Sequence, residues 1–165
     1  MTDVTFELAA RTYADTIYRV ALHALGSRAD AEDVMQTVLL KLYERKEDFE
    51  SPDHLKHWLL RLAVNESRSL LRSVWHRRRV SLEEGRDLPV PEDPDRAELL
   101  EAVMALEPKY RLAIYLYYYE GCSVKETAQV MGARQSTVQT WLHRARQRLR
   151  AELTQEETEE GHCYV

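Results

Sequence analysis

The side chains best suited to binding a polar ligand form one face of a predicted helix near the C-terminal end of the chain. Ser123 and Glu126 have capping-box spacing, which predicts a helix start. Gly132 can adopt the left-handed conformation that ends this helix, and Ser136 can cap a second one. The second helix would expose Gln139, Thr140, His143, Arg144 and Gln147. These side chains can reach base edges or phosphates in a major groove. The alternative is an ordinary helical hairpin with a solvated basic face.

Apolar spacing predicts the helices that must position this face. The first covers about residues 4–25 and ends at Gly26, and Ser27 begins the next. A third helix starts at Ser51-Pro52-Asp53 and runs into the basic stretch RSVWHRRR at 72–79. Because no strand-like alternation of useful length occurs, the sequence predicts an all-α fold.

Residues 80–95 interrupt the helical pattern. They contain three of the five prolines, and a stretch in which prolines alternate with acidic residues cannot continue a helix and has little to bury. We therefore expect two small helical domains, at 1–79 and 96–153, joined by a flexible acidic linker that contains proline. The glutamate-rich segment 154–165 is predicted to be a disordered acidic tail.

The charge is unevenly distributed. The net charge is −5, but residues 1–150 balance at 23 charges of each sign. Residues 56–79 carry seven basic and one acidic residue, and residues 121–150 carry six basic and one acidic. Without a net positive field, free binding to nucleic acid should be weak, so a further partner must hold the chain on its target.

Several classes of function are disfavoured. The sequence has no phosphate-binding glycine loop, nucleophile elbow or metal-ligand spacing, and its two cysteines make no disulfide framework. Glu32 and Asp33 would point about 100° apart on a helix, so they do not form an acid/base pair. No membrane-spanning run or signal peptide is evident. We expect a cytoplasmic, non-enzymatic protein without cofactor, metal site or membrane insertion.

Three motifs connect the chain to a known family. They are DAEDVMQTVLLKLY at 30–43, WLLRLAVN at 58–65, and the helix-turn-helix that begins at 123 and ends in LHRAR. In this order the sequence resembles the extracytoplasmic-function (group 4) sigma factors of the bacterial sigma-70 family, over roughly residues 5–153. The resemblance implies that the two domains are sigma region 2 and sigma region 4. It also implies a non-enzymatic subunit of RNA polymerase that directs promoter-specific transcription initiation.

The resemblance implies two sites in region 2. Asp33, Gln36, Met35 and Leu39 would bind the β′ clamp helices of core RNA polymerase. Phe49, Ser51, His54 and Asn65 would recognise and melt the −10 element by capturing a flipped base. Arginines would follow the phosphates of the opening duplex, namely Arg61, Arg68, Arg72, Arg77, Arg78 and Arg79. Three alternatives remain open: a plain amphipathic surface helix at 30–43, Phe49 as a packing staple, and Asn65 as a buried amide between helices.

For region 4, the resemblance implies recognition of the −35 element. Gln139, Thr140 and His143 would contact base edges, with Arg144 and Arg146 on phosphates. Gln139 stands where the family usually has a basic residue, and Trp141 where it has an arginine. Glutamine suits adenine better than guanine, and Trp141 could pack inward.

The resemblance also implies partners. Besides core polymerase, contacted at the β′ clamp helices and the β flap, these are promoter DNA and a cognate anti-sigma factor. The alternative function is a stand-alone helix-turn-helix regulator with an N-terminal dimerisation or sensing domain. The near-neutral charge of residues 1–150 disfavours it, because such a regulator must bind DNA without help.

Overall fold

The computed structural model of the chain describes residues 3–74 and 87–161. Within these ranges the protein consists of helices and the turns between them, which confirms the all-α fold class. The helices are α1 Asp3–Leu25, α2 Arg28–Glu44, α3 Pro52–Val74, α4 Pro94–Met104, α5 Pro108–Ile114, α6 Val124–Met131 and α7 Gln135–Gly161, with a π-helical turn at Tyr115–Tyr119 between α5 and α6.

Local side-chain chemistry explains the first helix boundaries. Gly26 ends α1 with a φ of 70°, a conformation that glycine adopts without steric cost. The Ser27 hydroxyl accepts a hydrogen bond from the Asp30 N–H at 3.3 Å and caps α2. At the start of α3, the Ser51 hydroxyl accepts from the His54 N–H at 3.0 Å. All three predicted boundaries are therefore confirmed.

Helices α1, α2 and α3 form a three-helix bundle. Its centre holds fully buried aliphatic side chains at helical spacing, among them Ile17, Val20, Val38, Leu42, Leu59 and Leu60. Burying each such side chain stabilises the fold by about 1.5–3 kcal/mol. This bundle fixes which faces of α2 and α3 remain exposed to partners.

Helices α4 to α7 form the second unit, in which α7 packs against α4, α5 and α6. Leu112, Leu116, Met131 and Leu142 are almost completely buried there. Most buried apolar residues of both units belong to one continuous cluster, because α3 packs on α6 and α1 packs on α5.

Two predictions about α7 are corrected. The helix begins at Gln135, because the Arg134 carbonyl already accepts the Val138 N–H at 3.0 Å, so Ser136 lies in the first turn and is not the cap. The helix also continues to Gly161, into the segment predicted to be disordered from residue 154. Neither glycine nor proline interrupts residues 135–160, and the tail is rich in glutamate and glutamine, which are good helix formers.

The prediction of a flexible linker is corrected at residues 87 and 88, and residues 80–86 lie outside the described residues. Asp87 docks on the turn between α1 and α2: its N–H donates to the Gly26 carbonyl at 3.0 Å, and its carboxylate accepts the Arg28 N–H at 2.9 Å. The carboxylate thus satisfies a first-turn N–H of α2 at the positive end of the helix dipole. Leu88 is buried beside it. Residues 87 and 88 are therefore anchored rather than flexible.

Candidate nucleic-acid interface

The predicted helix-turn-helix is present in α6 and α7. The Ser123 hydroxyl accepts the Glu126 N–H at 3.0 Å, and the Glu126 carboxylate accepts the Ser123 N–H at 3.2 Å, which completes the capping box. Gly132 ends α6 in the left-handed conformation with a φ of 64°. Val138 of α7 is fully buried, and α6 packs against α7. These contacts hold the exposed face of α7 at a fixed angle to α6.

The α7 residues predicted to contact base edges are all exposed, which leaves them accessible to a groove. These are Gln139, Thr140 and His143, with Arg144 and Arg146 exposed on the same helix. The Thr140 hydroxyl, however, donates to the Ser136 carbonyl at 3.0 Å. Its hydrogen is therefore already engaged. Trp141 is half-buried against the core, in agreement with the expectation that it packs inward.

Two arginines of α7 are oriented by neighbours that sequence reasoning missed. Arg146 donates to the Tyr118 hydroxyl at 3.0 Å. Arg148 lies 3.4 Å from the Glu107 carboxylate, and its guanidinium carbon is 4.9 Å from the centroid of the Tyr110 ring. The run of tyrosines after α5 was the available signal, but its spacing cannot show which ring an arginine 28 residues away will contact.

The loop before α3 is built around Phe49. This half-buried ring lies 5.2 Å from the His54 ring and 5.3 Å from the Trp58 ring, both edge-to-face. The Arg45 guanidinium stacks over it at 4.1 Å. His54 in turn accepts the Glu50 N–H through Nδ1 at 3.1 Å. Phe49 therefore does pack the loop, and Arg45 is a member of this cluster that the sequence did not reveal.

One face of α3 carries a row of polar side chains. Arg61, Asn65 and Arg72 are exposed at spacings of four and seven residues, and Arg68 lies between them. Because Asn65 is exposed, the alternative of a buried packing amide is wrong. Arg68 is half-buried, donates to the Met131 carbonyl at 2.7 Å, and has its pKa lowered by burial and by the nearby Arg72. Arg77, Arg78 and Arg79 lie outside the described residues.

The outer face of α2 differs in detail from the predicted set. Asp33 and Gln36 are exposed, whereas Met35 and Leu39 are half-buried against the core. The strongly exposed apolar side chains of this helix are Leu40, at 57%, and Tyr43, at 58%. Residues 33, 36, 40 and 43 share one helical face. The face combines two polar side chains with an apolar patch that an interacting protein could cover.

Neither metal nor thiol chemistry is indicated where the structure describes the chain. Residues 3–74 and 87–161 contain no group of three or more His, Cys, Asp or Glu able to hold a metal ion. Cys122 is buried, and this burial raises the pKa of its thiol to about 11, which disfavours the reactive thiolate. In the same residues, no helix is both long and apolar enough to cross a membrane.

Comparisons with known proteins agree with this layout. The family described as sigma-70 region 2 matches residues 9–77, and the family described as sigma-70, region 4 matches residues 96–149. The RNA polymerase sigma-E factor of Streptomyces coelicolor is 36% identical over 157 residues, which span 90% of this chain and 85% of that protein. The ECF RNA polymerase sigma factor SigW of Bacillus subtilis is 27% identical over 158 residues, covering 86% of this chain and 84% of the relative.

A solved structure shows the same fold. It is the sigma factor RpoE in complex with the anti-sigma factor NepR from Bartonella quintana, with a TM-score of 0.72, 24% identity, and coverage of 91% of this chain and 97% of that one. The alternative function, a stand-alone regulator, would need the N-terminal segment for dimerisation or sensing. This segment instead matches sigma-70 region 2. The chain therefore belongs to the sigma-70 family, in the extracytoplasmic-function group of RNA polymerase sigma factors that direct transcription from specific promoters.

Proposed function

We propose that α7 reads the −35 element, that α3 with its preceding loop reads and melts the −10 element, and that α2 docks on core RNA polymerase. The observation that carries this assignment is the exposed polar face of α7, held by a complete capping box and a left-handed Gly132. A helix presented in this way is the part of a helix-turn-helix that enters a major groove.

In the −35 site, Gln139 and His143 contact base edges, and Thr140 contributes mainly its methyl group because its hydroxyl hydrogen is engaged. Arg144 and Arg146 bind phosphates, and the Tyr118 hydroxyl orients Arg146 in advance. Gln139 favours adenine, because its amide can both donate to and accept from that base. Since Trp141 packs inward, it adds rigidity to the helix rather than a contact with DNA.

In the −10 site, the exposed amide of Asn65 hydrogen-bonds the edge of a base that has left the stack, and Arg61 and Arg72 follow the backbone. The Phe49 ring in the loop before α3 stacks on the base, and the hydrogen bonds of Ser51 and His54 hold this loop in shape. Arg68 joins the phosphate contacts once it is released from the Met131 carbonyl. These contacts are individually weak and salt-dependent, so both promoter elements are needed.

Core polymerase binds the outer face of α2 through its β′ clamp helices, with Leu40 and Tyr43 as apolar anchors and Asp33 and Gln36 beside them. Anchors of this kind in a partly polar rim are typical of protein interfaces. We expect region 4 to contact the β flap of core RNA polymerase. Binding to polymerase supplies the attachment that a chain with a net charge of −5 lacks on its own.

Further features follow from membership of the family. We propose a cognate anti-sigma factor as a regulatory partner, which the complex of RpoE with NepR supports by analogy. The protein would act in the cytoplasm, where its polymerase is, and would have no catalytic activity of its own.

Site-specific photocrosslinking tests these assignments. A photoreactive residue at Gln139 should label the −35 segment of promoter DNA in the holoenzyme, and one at Asn65 should label the −10 segment. Gln129, an exposed glutamine on α6, provides the matched control and should label DNA weakly. Labelling of the −10 segment from position 139, or equal labelling from 129 and 139, would refute the proposed arrangement.

A further inference from the structure

An open groove runs between the end of the linker and α4. Its volume is about 470 Å³, which is within the range of about 300–1,000 Å³ typical of binding clefts. Its apolar lining comes from both walls and consists of Leu88, Val90, Pro94, Ala97, Leu100 and Met104. Leu88 and Met104 are buried, whereas Val90 is 77% exposed. The groove therefore offers an apolar surface that a partner could cover.

The groove uses a side of α4 that packing within region 4 does not. Ala97, Glu98 and Glu101 line the groove and share one face of the helix, because they lie three and four residues apart. Val103 is buried on the opposite side. Helix α4 also packs against α7. After these contacts are made, its groove-facing side remains available.

The shape of the groove favours an elongated partner. Pro94 and Met104 both line it, and a separation of ten residues corresponds to about 15 Å along the helix axis. The linker wall contains Pro89 and Pro91, which have no N–H group, so an added strand cannot pair along this wall. A helix laid with its apolar face in the groove is the remaining common mode of peptide recognition.

The charge around the groove selects the kind of helix. Residues 87–101 carry six acidic side chains and one basic one. The basic residue, Arg96, lies 3.9 Å from the Asp93 carboxylate. Glu98 and Glu101 line the groove itself, and no basic side chain is among its described lining residues. This acidic field repels nucleic acid and attracts a partner that carries lysine or arginine.

We infer that the groove between the linker end and α4 is a docking site for a partner protein that presents a basic amphipathic helix. Apolar side chains of that helix lie against Leu88, Val90 and Ala97, and its lysine or arginine side chains pair with Glu98 and Glu101. The inference goes beyond the proposed function, because none of these residues is assigned to promoter DNA or to polymerase. Its test is therefore independent of promoter reading.

The probe is a synthetic helical peptide with leucines at positions i, i+3, i+4 and i+7 and lysines elsewhere. A second peptide of the same pattern has glutamate in place of lysine. Fluorescence anisotropy of each labelled peptide measures its affinity for the full-length chain over a range of salt concentrations. Circular dichroism verifies that every protein variant is folded.

Two variants alter the groove in different ways. Glu98→Gln/Glu101→Gln removes the charge but keeps the size of both side chains, and Val90→Ser removes an exposed apolar contact. Glu32→Gln/Glu44→Gln makes the same change in charge at two exposed positions of α2 and is the matched control.

We expect wild type and the α2 control to bind the lysine peptide and not the glutamate peptide. The Glu98→Gln/Glu101→Gln variant should bind about fivefold more weakly at low salt, as expected for the loss of two exposed ion pairs, and this difference should shrink as salt is added. Val90→Ser should weaken binding about threefold at every salt concentration, because the lost contact is apolar.

Three results would overturn the inference. An equal loss in the α2 control would show a general attraction between the acidic chain and a basic peptide. Equal binding of the two peptides would remove the charge selection. If the chain alone forms a dimer in analytical ultracentrifugation and Val90→Ser abolishes it, the groove instead binds a second copy of this chain.

Discussion

The guanidinium carbon of Arg45 lies 4.1 Å from the centroid of the Phe49 ring and 5.0 Å from that of Trp58. Arg45 also follows the end of α2 directly, where its N–H caps the helix through the Lys41 and Leu42 carbonyls. Arg45 thus links the end of α2, which is proposed to face polymerase, to the aromatic loop proposed to capture a base. The stack covers one face of Phe49, and a base must use its other face or displace the guanidinium.

Replacing Phe49 separates packing from stacking. Phe49→Leu keeps an apolar side chain against Trp58 but removes the aromatic face, whose stacking on a base contributes about 1–3 kcal/mol. We expect a fall of about tenfold or more in open-complex formation, with little loss of protein stability. Permanganate reactivity of the −10 region in the holoenzyme measures this fall. Unchanged melting in Phe49→Leu, together with a loss in Phe49→Ala, would assign the residue to packing alone.

Two neighbouring residues of α7 should respond differently to substitution. Gln139→Ala removes a base-edge contact and should weaken −35 binding by about 1–3 kcal/mol. Thr140→Val should have an effect within about 0.5 kcal/mol, because it keeps the methyl group and loses a hydroxyl whose hydrogen already binds the Ser136 carbonyl. Holoenzyme affinity for a −35 duplex measures both effects. A larger loss for Thr140→Val than for Gln139→Ala would reverse the assigned roles.

Gly132 should be sensitive to any side chain. A Cβ built at this position meets no atom within 4 Å, so the cost of Gly132→Ala comes from the backbone, which has a φ of 64°. Left-handed alanine costs about 1–2 kcal/mol, and asparagine costs less because it tolerates this conformation better. Urea unfolding should therefore rank glycine above asparagine and asparagine above alanine. Gln129→Ala serves as the exposed control on α6, and an alanine at 132 that is as stable as wild type would contradict the prediction.

Acidification should weaken the contact around His23. Burial lowers the pKa of His23, and the positive charges of Arg111 and Arg19 act in the same direction, against the His23 bond to the Arg19 carbonyl and the charge of Glu120. A lowered pKa means that the unfolded chain binds the proton more readily. The stability that neutral His23 contributes is therefore present above the ordinary histidine pKa of about 6.5, and is lost as the pH falls towards the pKa of the folded state.

The His23→Gln variant tests the predicted direction of this pH dependence of stability. Between pH 7.5 and pH 5.5 the free energy of unfolding should fall more steeply for wild type than for the variant, because glutamine does not titrate. This range stays above the carboxylate region, where the lowered pKa of Glu126 would add its own dependence. Parallel pH profiles for the two proteins would contradict the assigned role of His23.

Local interactions made much of the fold predictable. Gly26, Ser27, Ser51, Gly132 and the Ser123–Glu126 capping box act on residues only a few positions away, so their spacing is visible in the chain. Ser136 was the exception, since the backbone of Arg134 already supplied the first helical carbonyl. The exposed polar residues of α7 were predictable for the same reason, because exposure follows from helical periodicity.

The remaining features depend on contacts between distant residues. Asp87 meets Arg28 across 59 positions, and Arg68 meets Met131 across 63, so no local pattern could show that the linker end docks or that one predicted phosphate contact is occupied. On α2, helical spacing alone places Leu40 outside the buried stripe. Packing against the neighbouring helices, however, leaves Met35 and Leu39, which were predicted to bind polymerase, half-buried.

Mapping of transcription start sites tests the promoter-reading function most directly. Core RNA polymerase from the same organism is combined with the full-length chain, with a Gln139→Ala/Asn65→Ala variant, or with no addition, on genomic DNA. We expect a defined set of start sites that requires the chain, shares −35 and −10 sequences at fixed spacing, and is strongly reduced with the variant. Start sites that are the same with and without the chain would contradict its role as a promoter-reading subunit. Start sites unaffected by the variant would contradict the assignment of α7 and α3 as the readers.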